Sequence, residues 1–352
     1  MSIAIAQYAP LEIICESNNT IVYRAYRELD QTSIIIKTLK AEYPSLEDLT
    51  YLKHEYKIIQ ELEIEGLIKP LALESYQNGL ALICKDVAGE PLKRFVKNQK
   101  IELNKFLSIA IELVTIVAQL HQNRIIHKDI QPSNILVNAQ TNRVTIIDLS
   151  LASRLSIENQ TACNFDLLKG NLAYMSPEQT GRMNRLIDYR TDFYSLGITF
   201  YEMLTGELPF QASNQLELLH CHIAKAALPP GELNPEVPPA ISEIVMKLLA
   251  KTAEDRYQSA LGLKADLETC LGMLQTFGEI SHFTAGQVDS YSQFLIPQKL
   301  YGREREVAIL MQAFERVSQG TTEIILVSGY SGIGKSSLVN EVHKPIVGAR
   351  GY

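Results

Sequence analysis

Short runs of β-branched and apolar residues punctuate the first third of the chain, at Thr20 to Tyr26, Ser33 to Leu39 and Leu80 to Cys84. Between the second and third lies a charged stretch, Ser45 to Leu62, whose apolar residues recur at helical spacing. This pattern predicts a small sheet with one helix. From Leu103 onward the helical period takes over, apart from β-like segments at Ile135 to Val137 and Val144 to Ile147 that flank the turn-forming Asn138 to Asn142. A second, mostly helical lobe is expected there. The most apolar stretch, Ile101 to Leu120, is broken by Glu102, Asn104, Lys105 and Glu112, which makes it too polar for a membrane span and spaces it as an amphipathic helix.

After Cys270 periodicity fades into the mixed run GEISHFTAGQVDSYSQF, and a linker is expected over 273–299. The last segment predicts a helix from Arg303 to about Val317, a strand in TEIILVSG and a second helix starting near Lys335. That is the opening of a different domain.

Composition leaves this organisation intact. A 46% hydrophobic and 21% charged chain is an ordinary globular one. A net charge of -7 lacks the broad positive field that nucleic acid or an anionic membrane requires, so no nucleic-acid partner is expected. No Lys or Arg precedes Arg24, so the charged head of a signal peptide is missing. Five scattered cysteines without a Cys-x-x-Cys pair point to a reduced cytoplasm, and His220-Cys221-His222 reads as helix surface and core rather than a metal site.

The chemistry concentrates in His127-Lys128-Asp129-Ile130-Gln131-Pro132-Ser133-Asn134, followed by an apolar strand, a turn and Asp148. An Asp five residues before an Asn, with a second Asp on the next hairpin, supplies a base near an acceptor hydroxyl and two oxygen ligands for Mg²⁺. In order and spacing these residues resemble the His-Arg-Asp-x-x-x-x-Asn and Asp-Phe-Gly patterns of the protein-kinase superfamily. The resemblance implies an α+β, two-lobed kinase-like fold with a small β-rich N-lobe and a larger helical C-lobe. It implies ATP and Mg²⁺ as cofactors, Asp129 as catalytic base, Asn134 and Asp148 as metal ligands and His127 as a structural residue.

Further matches extend the likeness. Lys37 lies in the apolar run Ile34-Ile35-Ile36-Lys37, where an unpaired ammonium would be costly unless it found an anion. The resemblance assigns it the ATP α- and β-phosphates. Glu55, on a helix whose Leu52, Ile58, Ile59 and Leu62 point inward, is the candidate partner that fixes it, with Glu47 and Glu61 as poorer alternatives. Ser176-Pro177-Glu178 stands where the family ends its activation segment, Asp192 to Gly197 resembles the start of its central buried helix, and Arg256 is expected to pair with Glu178 as scaffold. The run from Asn171 to Phe210 is similar to the kinase lobe of large bacterial signalling proteins, known best from cyanobacteria, that join a Ser/Thr kinase to a P-loop ATPase and often a sensor histidine kinase. On that likeness the domains are a kinase over 9–272, a linker over 273–299 and an AAA-type ATPase from 300. The expected partners are a protein substrate with Ser or Thr and downstream ATPase and sensor modules.

Several positions depart from the family pattern. The phosphate lid, Glu16-Ser17-Asn18-Asn19-Thr20, has no glycine; Asn tolerates left-handed backbone, so a turn can survive in a different shape. Ser17, Asn18 and Asn19 are the candidate nucleotide contacts there. Gln131 replaces a Lys whose charge would stabilise the transferring phosphoryl, and Asn171 replaces the Thr that commonly touches it. The two are expected to form an amide contact that conserves the loop. Leu149 and Ser150 replace Phe and Gly, leaving Leu149 to fill an apolar position. Lys128 replaces an Arg that receives an activation-segment phosphate, for which Thr161 and Ser156 are candidates on position.

Gly329-Tyr330-Ser331-Gly332-Ile333-Gly334-Lys335-Ser336 satisfies G-x-x-x-x-G-K-[ST]. Gly329, Gly332 and Gly334 would let backbone N–H groups cradle phosphates, Lys335 would neutralise them and Ser336 would hold Mg²⁺. Only 17 residues follow Lys335, so this ATPase domain is expected to be incomplete and 300–352 loosely held. Two functions fit: an active Ser/Thr protein kinase, or a catalytically weak pseudokinase that senses nucleotide or docks partners.

Overall fold

A computed structural model describes residues 8–98, 101–154, 170–182, 185–289, 302–330 and 333–340. The N-terminal lobe is a five-stranded antiparallel sheet in the order β1-β2-β3-β5-β4. Its strands are β1 (Tyr8–Glu16), β2 (Thr20–Arg27), β3 (Ser33–Leu39), β4 (Pro70–Tyr76) and β5 (Gly79–Lys85). The β-branched run of β3 is buried almost throughout because this strand lies mid-sheet, between β2 and β5. One helix, α1 (Leu46–Gln60), packs on the sheet. Ser45 caps it by accepting the Asp48 N–H, Glu47 and Asp48 sit in its first turn, and Leu52, Glu55, Ile58 and Ile59 form its buried face.

A short strand β6 (Glu90–Pro91) and helix α2 (Leu92–Asn98) lead into the helical lobe. Its axis is α3 (Leu103–Gln122), which buries Phe106, Leu107, Ile109, Ala110, Leu113, Val114, Val117 and Leu120. Length and composition alone would let this helix cross a membrane, so its polar residues are less prohibitive than their number suggests. What assigns it to a protein core is packing, since each fully buried large aliphatic contributes about 1.5–3 kcal/mol. Strands β7 (Ile125–Ile126), β8 (Ile135–Val137), β9 (Val144–Ile146) and β10 (Ser153–Arg154) form two small sheets, β6-β8-β9 and β10-β7, at the inner edge of the lobe. Then come α4 (Arg190–Thr205), α5 (Gln215–Ala224), α6 (Pro230–Leu233), α7 (Pro239–Leu248) and α8 (Ala260–Phe277). In α5, Cys221 and His222 are buried, and His222 Nδ1 lies 3.0 Å from the Tyr194 hydroxyl.

The expected linker start at 273 falls inside α8, where Leu271, Met273 and Leu274 continue the apolar face past Cys270. The residues that follow also return to the lobe. Ile280 is buried, Gly286 N–H donates to Asp266 at 2.6 Å, and Asp289 accepts the N–H groups of Gln258 and Ser259 at 2.6 and 3.0 Å. Composition marked this segment as irregular, which it is, but irregular backbone can dock through its polar groups.

Beyond it lie α9 (Glu304–Ser318) and α10 (Lys335–Asn340). The strand expected in TEIILVSG does not form: 321–330 carries no ladder, and Ile324 and Leu326 are about nine-tenths exposed. Its apolar residues have no neighbouring strand among the described residues, and a single strand cannot satisfy its own backbone.

Candidate active site

The loop from His127 to Asn134 gains its shape from beneath. Asp192, fully buried in the first turn of α4, accepts the backbone N–H groups of His127 and Lys128 at 2.9 and 2.8 Å, and the His121 ring at 2.8 Å. Burial opposes its charge, but His121 and these donors outweigh that and hold its carboxyl below the usual range. The His127 ring accepts the Asp129 N–H at 3.2 Å, and Lys128 takes a left-handed φ of 68°. The loop thus turns sharply and presents Asp129. Sequence reasoning gave Asp192 no role beyond marking the helix, although a carboxylate in so apolar a helix needs buried donors.

Asp129 is held from three sides. Gln131 donates to Oδ2 at 2.9 Å, Asn134 donates to the same oxygen at 2.8 Å, and the Asn171 N–H approaches Oδ1 at 3.4 Å. Asn171 donates its side-chain amide to the Gln131 side-chain oxygen Oε1 at 2.9 Å, so the expected amide contact is present. Gly170, with φ of 99°, makes this approach feasible, because a Cβ there would stand 3.2 Å from Asp129 Oδ1 and 3.1 Å from Leu151. Burial, and then the negative charge of Asp148, push the Asp129 carboxyl up to about 7, near the value suited to proton transfer at neutral pH.

Lys37 lies on β3 with its ammonium 2.7 Å from Glu55 on α1 and 2.7 Å from Asp148 after β9. Of the three helix carboxylates considered from sequence, Glu55 is thus the one that meets it. Burial works against the Lys37 charge, yet Asp148 and Glu55 more than compensate and raise its pKa. Asp148 is likewise held low despite burial, by Lys37 and by the Ser150 N–H at 2.9 Å. Glu55 is pushed up to about 7 by burial, which Lys37 only partly offsets. Glu55 also accepts the Leu149 N–H at 3.1 Å, and Leu149 is fully buried in the apolar position expected of it. Two carboxylates from separate parts of the fold therefore converge on the ammonium that β3 carries.

The lid between β1 and β2 is closed by Ser17, whose N–H donates to the Thr20 carbonyl at 2.9 Å and whose hydroxyl lies 2.8 Å from that of Thr20. No residue of this turn has positive φ, so the left-handed Asn conformation considered from sequence is not used. Asn18 is exposed, and the Asn19 amide donates to Asp48 on α1 at 2.9 Å.

At the end of the activation segment Arg256 meets Glu178 through two bonds, at 2.6 and 2.8 Å, both side chains being buried. Thr161 and Ser156 lie outside the described residues. In the C-terminal loop Gly334 has φ of 89°, and Lys335 donates to the carbonyls of Gly329 and Tyr330 at 2.9 and 2.8 Å. Gly332 and the Ser336 side chain lie outside the described residues.

Comparison with known proteins agrees with this geometry. The protein kinase domain family matches residues 8–267, and the AAA ATPase domain family matches residues 299–352. The chain is 32% identical over 334 residues to hybrid signal transduction histidine kinase G of Dictyostelium discoideum, covering 70% of this chain and 10% of that protein. It is 31% identical over 256 residues to a probable serine/threonine-protein kinase of Clostridium acetobutylicum (72% and 38% covered), and 28% identical over 265 residues to serine/threonine-protein kinase PrkC of Bacillus subtilis (75% and 40%). The chain thus spans between 10% and 40% of the length of these relatives.

Proposed function

Because the chain belongs to the protein kinase domain family, we propose that its cleft binds ATP with Mg²⁺ and transfers the γ-phosphate to a Ser or Thr hydroxyl of a protein. The observation that carries this reading is the Lys37 ammonium, held 2.7 Å from both Glu55 and Asp148 in a buried position from which it can reach a nucleotide's phosphates. Asp129 is the group that would accept the hydroxyl proton, and Gln131 and Asn134 orient it. Asn134 turns its amide nitrogen to Asp129, leaving its amide oxygen and the Asp148 carboxylate as hard oxygen donors. That donor type fits Mg²⁺, which binds through one or two protein oxygens together with nucleotide phosphates. The ion, when bound, neutralises charge on the phosphate oxygens.

The segment matching the AAA ATPase family is read as a second nucleotide-binding module joined to the kinase, with Lys335 and Ser336 as its phosphate and metal contacts. Relatives named as serine/threonine-protein kinases of bacteria and as a hybrid signal transduction histidine kinase support reading this chain as part of a signalling protein.

A second reading, a nucleotide-binding pseudokinase, is favoured by the neutral Gln131 amide beside Asp129 and by the glycine-free lid. Transfer of radiolabel from [γ-³²P]ATP to a generic protein acceptor separates the two. The active kinase labels it, and Asp129→Asn does not. A wild-type chain that binds ATP yet transfers nothing would leave the pseudokinase as the surviving reading.

A further inference from the structure

The lid's lack of glycine raises the question of what holds it over the cleft. A Gly-rich lid follows the phosphates by backbone freedom, but this one is anchored by a ladder hydrogen bond and by side chains. The Asn19 carbonyl accepts the Lys40 N–H at 2.9 Å, extending the β2-β3 ladder to the lid tip. Lys40 pairs with Glu16 at 2.6 Å on the other side of the turn. The Asn19 amide then reaches Asp48 Oδ1 at 2.9 Å. Asp48 is itself immobilised, because its Oδ2 accepts the Ser45 hydroxyl at 2.6 Å and its N–H donates back to Ser45 at the N-cap of α1. The lid tip is therefore tied to the helix that carries Glu55 and, through it, Lys37.

We infer that Asn19 is a positioning residue: its bond to Asp48 fixes the lid where a nucleotide's phosphates would lie, substituting for the adaptability that glycine would supply. The inference rests on the proposed ATP-binding function of the cleft. It assigns Asn19 an action through Asp48 rather than a contact with the nucleotide. An exposed hydrogen bond to a carboxylate sets the scale, a few-fold in affinity.

The experiment uses the full chain in a Lys335→Ala background, so that the second phosphate loop does not contribute. MgATP and, separately, adenosine are titrated by calorimetry into the otherwise wild-type chain, Asn19→Ala, Asn19→Asp and the swapped pair Asn19→Asp with Asp48→Asn. Asn19→Ala is expected to bind MgATP about five-fold more weakly while binding adenosine unchanged. Asn19→Asp sets two carboxylates against each other and weakens MgATP further, and the swapped pair restores it to within about two-fold. Equal MgATP affinity in Asn19→Ala, or a parallel loss for adenosine, overturns the positioning role while leaving the cleft a nucleotide site. If the chain with Asn19 intact binds neither ligand, the ATP-binding reading falls and this inference falls with it.

Discussion

The Asn171 side-chain amide donates to the Gln131 side-chain oxygen Oε1, and the Gln131 side-chain nitrogen Nε2 donates in turn to Asp129 Oδ2, each at 2.9 Å. Two departures from the family pattern have thus become one relay that ends on the proposed base. Groups in one hydrogen-bond network couple by about 0.5–3 kcal/mol. Gln131→Ala and Asn171→Ala should each slow phosphate transfer, and the double variant should be little worse than the poorer single one. Steady-state rates on one protein acceptor decide it: losses that multiply would mean that the residues act separately.

Lys37 is the hinge of the site's stability as well as its chemistry. Lys37→Met leaves Glu55 and Asp148 facing each other without a cation, and breaking a buried pair in this way costs about 3–5 kcal/mol. Glu55→Gln should cost less, because Asp148 still faces the Lys37 ammonium, the amide oxygen can still accept from Lys37, and burial already opposes the Glu55 charge. Differential scanning calorimetry should therefore rank wild type, Glu55→Gln and Lys37→Met in falling order of Tm. A Lys37→Met chain as stable as wild type would contradict the shared ion pair.

His222 supplies a pH dependence of defined sign. Burial, and then the positive charge of Lys251, press its pKa down to about 3. Between the ordinary histidine value and about 3 the unfolded chain takes up a proton that the folded chain refuses, so stability contributed by neutral His222 is lost as pH falls through that window. His222→Gln retains an acceptor for the Tyr194 hydroxyl without that proton. Its Tm should converge on or cross the wild-type value as pH falls from about 7 to about 4. A constant difference across that range would count against a neutral buried imidazole.

Gly262 tests the docking of the segment after α8. A Cβ there would come within 2.3 Å of Asp289 Oδ1 and 2.8 Å of its Cα, so Gly262→Ala must displace the strap that caps Gln258 and Ser259. Limited proteolysis should cut Gly262→Ala between 278 and 289 several-fold faster than wild type, with Asp289→Asn intermediate. Equal cleavage rates would show that the strap is not held there.

Much of the site was legible in the chain itself. The spacing of Asp129, Asn134 and Asp148 and the Lys in an apolar strand report local necessities of charge, whereas the Gln131–Asn171 contact was legible only against the pattern of the family the chain resembles. Periodicity likewise marked β2, β3, α1 and α3, because burial on one face imposes a repeat. The amphipathic spacing of α3 pointed to a helix with one buried face, which its packing shows, although length and composition alone would also have allowed a membrane span.

Other features were decided only when distant segments met. Asp192 became the support of the loop that carries Asp129 because folding brought it to the His127 and Lys128 N–H groups, 65 and 64 residues away along the chain. The lid closes through its own Ser17 and Thr20, but its ties to Asp48 and Lys40 existed only once those residues were brought beside it. The docked Asp289 and the unformed strand at 322–329 follow the same rule from opposite sides. Sequence determines what a segment can pair with, through its period, charge and donors. Whether a partner lies within about 3 Å is a property of the folded chain alone.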